Sequence, residues 1–446
     1  MKPQTKFKQT EIGTIPEDWK VKTVDQIKSP AKSALAMGPF GSNIKKECFV
    51  KEGVPIIRGN NLTSYRFLDE DFVYLTEEKA DDLKSSNCLP GDLVITHRGT
   101  LGQVGLIPKK SRYERYIISQ SGMKLSCDGT QVISEYVFYF LKSPVGQHML
   151  LRNTSQTGVP AIAQPLTSLK NIPLPVPDIE EQKRITKVFE DFNDKIDLLQ
   201  KQNKTLEAMG QAIFKHWFID FEFPTEEGKP YKSSGGEMFY NEELGKEIPK
   251  GWKVEHFSKI IEVNPKRELS KGKLAKKVSM ADLNPWQSWI ENWSLEEYKS
   301  GPKFKNGDTL FARITPSLEN GKTAFVYMLD NNEVGFGSTE FIIFSTKIIS
   351  SGFYIFHLCR SEEIRNASIS AMTGTSGRQR VPDDLFDYLP IILPPIIILD
   401  EFEKINSSLF NQISNNAKEI KITSEIRDSL LPKLMSGKIR VHVKVN

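Results

Sequence analysis

Only four of the 446 residues are cysteines. Cys48, Cys88, Cys127 and Cys359 lie far apart and form no Cys-x-x-Cys. That excludes a disulfide framework or a zinc ribbon and fits reduced thiols in a cytoplasmic protein. Long apolar runs are also missing: none approaches the roughly 20 residues a bilayer span needs. The opening Met-Lys-Pro-Gln-Thr-Lys-Phe has no apolar stretch of the kind a secretory signal carries. Nor is there an excess of one charge, with 60 basic residues against 56 acidic ones and a net +4. A nucleic-acid partner would therefore have to be met by a local positive field.

Catalytic and nucleotide-binding signatures are equally scarce. Gly321-Lys322-Thr323 resembles the end of a P-loop, but Pro316 stands where the loop needs a glycine. Gly99, Gly102 and Gly105 are not at dinucleotide-binding spacing, and no long helix follows to present an anion site, so tight hairpins are expected. Asn284-Pro285-Trp286 lacks the second proline of an amino-methyltransferase run. The acids of Asp178 to Glu181 sit at a helix start, where capping accounts for them. The six histidines are scattered, so neither a metal cluster nor a nucleophilic triad is suggested. Trp286, Trp289 and Trp293 have helical spacing and read as packing residues.

What the chain does have is two long heptad stripes, each entered through prolines. After Pro173-Leu174-Pro175-Val176-Pro177, Asp178 can cap a helix, with Glu181 completing a capping box. Ile185, Phe189, Phe192, Ile196, Leu199, Leu206, Ile213 and Trp217 then form one seam, interrupted by Asn203 and Gly210. From Ile185 to Trp217 the rod is roughly 50 Å long at about 1.5 Å per residue. A second break, Pro390 to Pro395, leads to Phe402, Leu409, Ile413, Ile420, Leu430 and Leu434, with Asn416 and Thr423 as polar members. The two rods can pack antiparallel.

The segments before the rods repeat as well. Glu11-Ile12-Gly13…Ile15-Pro16…Trp19 is echoed by Glu243-Leu244-Gly245…Ile248-Pro249…Trp252, Gly91-Asp92 by Gly307-Asp308, and Thr157-Gly158 by Thr373-Gly374. The expected fold is mixed α/β: two similar globular domains, separated by two long antiparallel coiled-coil helices, in a pseudo-twofold internal repeat. The expected boundaries are 1–172 for the first domain, 173–221 for the central helix, 222–242 for a linker, 243–389 for the second domain and 390–446 for the last helix and tail. Short strands are expected at Val54–Arg58, Asp92–Thr96, Gly105–Ile107 and Tyr116–Ser119, with a helix beginning at Ser134.

DNA contact, if present, falls to loops. Arg98 and Thr100 follow one strand, and Arg313 and Thr315 follow what reads as its counterpart; arginine can fork onto guanine, with threonine beside it. The small polar loops carrying Gln156 and Thr157, and Thr375, Ser376, Arg378, Gln379 and Arg380, suit close backbone approach. Lys45, Lys46, Arg58, Asn60, Asn61, Lys271, Lys273, Lys276 and Lys277 are candidates for phosphate.

These landmarks, together with Gly38-Pro39-Phe40-Gly41-Ser42, Gly53-Val54-Pro55-Ile56-Ile57-Arg58, Gly91-Asp92-Leu93-Val94 and the proline block running into Glu181-Gln182…Ile185, resemble the specificity subunit of type I restriction-modification systems. The resemblance spans essentially the whole chain. In the second copy Glu401-Phe402 stands where Glu-Gln is expected. The resemblance implies a target-recognition domain in each half, each reading one component of a bipartite double-stranded DNA target, with the helices setting the gap. It also implies two methyltransferase (modification) subunits and endonuclease/translocase (restriction) subunits as partners in defence against foreign DNA. S-adenosylmethionine, ATP and Mg would be held by those partners, leaving this chain without metal, cofactor or catalysis. Val188 and Leu198, off the seam, are candidates to face them. Two other readings stand beside this one: a coiled-coil scaffold whose heads bind protein, and a self-sufficient DNA-modifying enzyme.

Overall fold

The computed structural model describes residues 5–41, 43–155, 158–375 and 377–441. The chain divides into two compact units, Met1–Ile196 with Thr423–Asn446, and Asp197–Ile422. Both divisions fall inside the long helices, Ile179–Phe214 (36 residues) and Ile396–Met435 (40 residues). Each unit therefore owns one end of each helix. None of the described helices is long and apolar enough to cross a membrane.

In the first unit an antiparallel sheet runs in the order Val104–Leu106, Leu93–Thr96, Gly122–Leu125, Leu35–Met37. A second sheet contains Val54–Ile57 paired in parallel with Tyr116–Ile118. The strands Leu93–Thr96 and Gly122–Leu125 are buried along their whole length, because the helix Ser134–Lys142 covers one face and the second sheet the other. The second unit repeats this plan. Its antiparallel sheet runs Thr323–Phe325, Thr309–Ala312, Phe341–Thr346, Ile261–Val263, and Leu274–Val278 pairs in parallel with Gly335–Gly337. Its covering helix, Gly352–Arg360, is nine residues long, as is Ser134–Lys142.

A two-strand clip ties each head to a long helix. Pro173–Val176 pairs with Lys20–Thr23, and Pro390–Leu393 pairs with Lys253–His256. The clip explains the proline blocks: edge strands tolerate residues that cannot donate, and the prolines end each strand just before its helix. By this register Pro173 matches Pro390, so Glu181-Gln182 match Ile398-Leu399 and not Glu401-Phe402.

Several expectations are corrected. Glu181 does not reach back to close a capping box, although its amide does donate to Asp178 Oδ1 at 2.7 Å. Its buried carboxylate instead accepts from Trp19 Nε1 at 3.0 Å and from the Arg440 guanidinium, which also forks onto Asp18. Gln182, fully buried, accepts from the Ile133 amide at 3.0 Å and donates to the Pro177 and Gln131 carbonyls. The Glu-Gln pair thus bolts the helix start to the head. In the second unit, Trp252 stacks on Phe223 and packs edge-on to Phe221.

The seam of the first long helix also shifts. Ile185, Phe189, Ile196, Leu199 and Trp217 are buried, but Phe192, Leu206 and Ile213 are only half-buried; the buried neighbours are Asn193, Glu207 and Phe214. An apolar rule misses these polar positions because each has a partner. Asn193 donates to Tyr139 and accepts from Arg427, and Glu207 pairs with Arg360 at 2.6 Å. On the second helix Phe402, Leu409, Ile413 and Leu434 are buried, while Ile420 and Leu430 are half-buried. Asn203 meets Asn416 at 2.8 Å in a polar layer, the type of pairing that fixes coil register. Gly210 allows close approach: a Cβ there would stand 2.8 Å from Asn406 Oδ1.

The expected linker, residues 222–242, carries local structure of its own. Phe223 is buried and stacks on Tyr231 with ring centroids 4.5 Å apart, and Met238–Asn241 forms a hairpin strand with Lys246–Pro249. Phe7–Thr10 plays the same part in the first unit. Trp286, Trp289 and Trp293 lie in turns and loop, not on a helix. Trp286 has φ of 60°, and Arg365 sits over its ring at 4.3 Å.

Candidate nucleic-acid interface

The candidate residues separate into two groups once their surroundings are known. In the first unit a cavity of about 630 Å³ is lined by Arg58, Gly59, Thr96, Arg98, Gly99, Thr100, Gln103, Ser119, Gln120, Ser121 and Val159. The two neighbouring sheets create it: Arg58 leaves the end of Val54–Ile57, and Arg98 leaves the end of Leu93–Thr96. Gly99 and Gly102 take φ of 82° and 75°, which turns the chain between its hairpin strands as the glycine spacing suggested. Thr96 Oγ1 donates to the Thr100 carbonyl at 2.6 Å and receives the Gln103 amide, so the loop tip is held from inside.

Arg58, Arg98 and Thr100 are exposed at the cavity. Arg58 Nη2 donates to the Asp71 carbonyl at 2.6 Å, leaving its other donors available. Asn61 takes no part in the surface. It is buried, caps the turn by accepting the Arg58 amide, and donates to the Leu68 and Glu70 carbonyls. Asn60, Lys45 and Lys46 are exposed but outside the cavity lining. Beneath Arg98, His97 is buried with Nε2 unpartnered, and burial lowers its pKa, which keeps it neutral. Gln103, Ser119, Gln120 and Ser121 lack charge and repeat spacing, so no sequence signal marked them.

In the second unit, backbone bonding corrects the pairing of Arg98 with Arg313. The His97 amide donates to Ser121 and its carbonyl accepts from Ile162; the Arg313 amide donates to Glu340 and its carbonyl accepts from Val381. Arg98 bridges Ala161, whereas Ile314 bridges Arg380. Arg313 therefore matches His97, Ile314 matches Arg98, and Thr315 matches Gly99. The sequence comparison was one residue out because both arginines follow strands of similar composition. Arg313 turns inward, donating to the Val381 carbonyl at 2.6 Å and pairing with Asp383 at 2.9 Å. Thr315 is buried and accepts the Gln379 amide.

Arg380 forks onto Glu340 at 2.8 and 2.6 Å, while Arg378 and Thr375 are exposed. Gln156, Thr157 and Ser376 lie outside the described residues. Lys271 and Lys273 are exposed on a turn. Lys276 is mostly covered, held by Asp330 at 2.9 Å and Glu333 at 2.8 Å, and Lys277 pairs with Glu296 at 2.9 Å. Gly321-Lys322 ends a backbone turn, with the Gly321 amide on the Leu318 carbonyl and the Lys322 amide on the Ser317 carbonyl, and Lys322 Nζ donates to the Met280 carbonyl at 2.8 Å. Of the residues proposed for partners, Leu198 is exposed, whereas Val188 packs against the first unit's core.

A duplicated α/β head, clipped to paired long helices and carrying a basic loop cavity in one copy, defines a recognition protein built from two similar halves. Residues 16–208 match the family model described as Type I restriction modification DNA specificity domain. The Type I restriction enzyme MjaIX specificity subunit of Methanocaldococcus jannaschii is 29% identical, over 98% of this chain and 97% of its own length. The Type I restriction enzyme HindI specificity subunit of Haemophilus influenzae is 23% identical over 73% of this chain and 82% of its own. The crystal structure of a Type-I restriction-modification system S subunit from M. genitalium has the same fold, with a TM-score of 0.51 and 15% identity over 93% of this chain and 96% of that one. The chain thus carries a type I restriction-modification DNA specificity domain over residues 16–208 and is similar along nearly its whole length to type I specificity subunits.

Proposed function

We propose that this chain selects the DNA sequence on which a type I complex acts, each unit reading one component of a bipartite target. The observation that carries this reading is the repeat itself: two heads of one topology, each clipped by the same strand pair to an end of the two long helices. In this reading the helices set the unspecified gap. Two modification subunits and the restriction subunits supply methylation, translocation and cleavage in the cytoplasm, and S-adenosylmethionine, ATP and magnesium are theirs. The chain contributes binding energy and register but no chemical step. Arg58 and Arg98 face the DNA in the first unit, and exposed Arg378 and the lysines of the 271–273 turn make phosphate contacts in the second. The test is to map methylated adenines in cells expressing the modification subunits with and without this chain. A split motif that appears only with the chain is expected. Methylation without the chain, or by the purified chain alone, contradicts the reading.

A further inference from the structure

We propose that the first unit reads a guanine edge through Arg98, and that the second unit, with Ile314 at the matching place, reads its component by different chemistry. This rests on the DNA reading above and names the group recognised. Arg98 combines a fixed backbone with a free head. Its strand is pinned on the side of Ala161, with Gly99 donating to the Pro160 carbonyl and Ile162 donating to the His97 carbonyl, each at 2.9 Å. Its guanidinium is exposed, and no carboxylate lines the cavity among the described residues. A planar fork on a rigid mount is what bidentate contact with guanine O6 and N7 requires.

Arg58 differs, because one of its nitrogens is already bound to the Asp71 carbonyl at 2.6 Å. That geometry suits a phosphate more than a two-point base contact. Amide and hydroxyl groups of Gln120 and Ser121 complete a wall able to meet neighbouring base edges. In the second unit, Ser279 takes the place of Arg58, because its amide meets Asp282 as that of Arg58 meets Asn61. Glu340 takes the place of Ser121 and is already forked by Arg380. There Ile314 and Ser279 replace the two guanidinium groups and a neutralised pair stands beside them, which suits contact with a thymine methyl and not with guanine.

The experiment uses the assembled methyltransferase complex, S-adenosylmethionine and a random-sequence duplex library, with methylated sites sequenced. Arg98→Ile should relax one G·C position in one component, lowering discrimination there by about ten- to a hundredfold, and leave the other component intact. Arg98→Lys should retain part of that discrimination, and Ile314→Ala should leave the Arg98-dependent component unchanged. Uniformly weaker methylation across all sequences would assign Arg98 to phosphate and overturn the proposal. So would an unchanged motif, or relaxation at an A·T position. If the unaltered complex yields no motif that depends on this chain, the DNA reading itself falls.

Discussion

The two units share a backbone and differ in almost every side chain that matters. In the first, Trp19 is held by Glu181 and Arg440; in the second, Trp252 sits among Phe218, Phe221 and Phe223. On the covering helices, Tyr136 and Tyr354 donate alike to clip carbonyls at 2.9 and 2.8 Å. One turn later Tyr139 meets Asn193, while His357 meets Asn406, and burial brings the His357 pKa down to about 3. Lys142 and Arg360 close the same helices, one reaching the Ser64 carbonyl and the other the buried Glu207. Main-chain ladders fix the frame without regard to side chains. The interiors and the reading loops are therefore free to diverge, and each half keeps its own matched set.

The largest way to break the comparison lies in the second unit. Arg360→Ala leaves Glu207 buried without its cation, and should destabilise that unit by about 3–5 kcal/mol; Lys142→Ala, at the matching place, should cost under about 1 kcal/mol. Hydrogen exchange resolved to each unit distinguishes the two, and equal losses would show that the Arg360 pair carries no special weight. Next comes Glu181→Ile, which installs the second unit's residue in the first. It strands Trp19 Nε1 and removes a carboxylate from Arg440, for an expected loss of about 2–3 kcal/mol. Urea unfolding of the full chain checks it; a neutral result would mean that the aromatic arrangement suits either unit.

Much of this plan was legible because periodicity and turn chemistry report backbone. The strands at Val54 and Tyr116, the helix from Ser134 and both long helices all announce themselves. What escaped was chemistry decided by partners far along the chain. The real seam includes Asn193 and Glu207, whose acceptability depends on Arg427 and Arg360, more than 150 residues away. Lys276 reads as a free cation until Asp330 and Glu333 fold over it. Arg98 and Arg313 read as a pair until the ladder counts one residue more.

A smaller effect sharpens the contrast through pH. Burial pulls the Lys142 pKa down to about 8, with Arg427 adding like-charge repulsion. Between that value and the ordinary value near 10.5 the unfolded chain holds a proton that the folded one has released, so stability rises with pH across this window. Thermal unfolding should show a gain of about 1 kcal/mol relative to a Lys142→Met chain between pH 8 and 10. A parallel course for both chains would place the effect elsewhere.

The central claim, that two units read separate components across a gap fixed by the helices, is tested by lengthening both helices together. Seven residues inserted after Ile196 and seven before Thr423 fall where the units divide and preserve heptad phase, keeping the Asn203–Asn416 layer matched. The insertions add about 10.5 Å of helix, close to three base pairs at about 3.4 Å each. Methylated-adenine mapping of the assembled complex should return the same two components with the gap wider by about three base pairs. An active complex that keeps its original gap, or accepts many gaps at once, would contradict it.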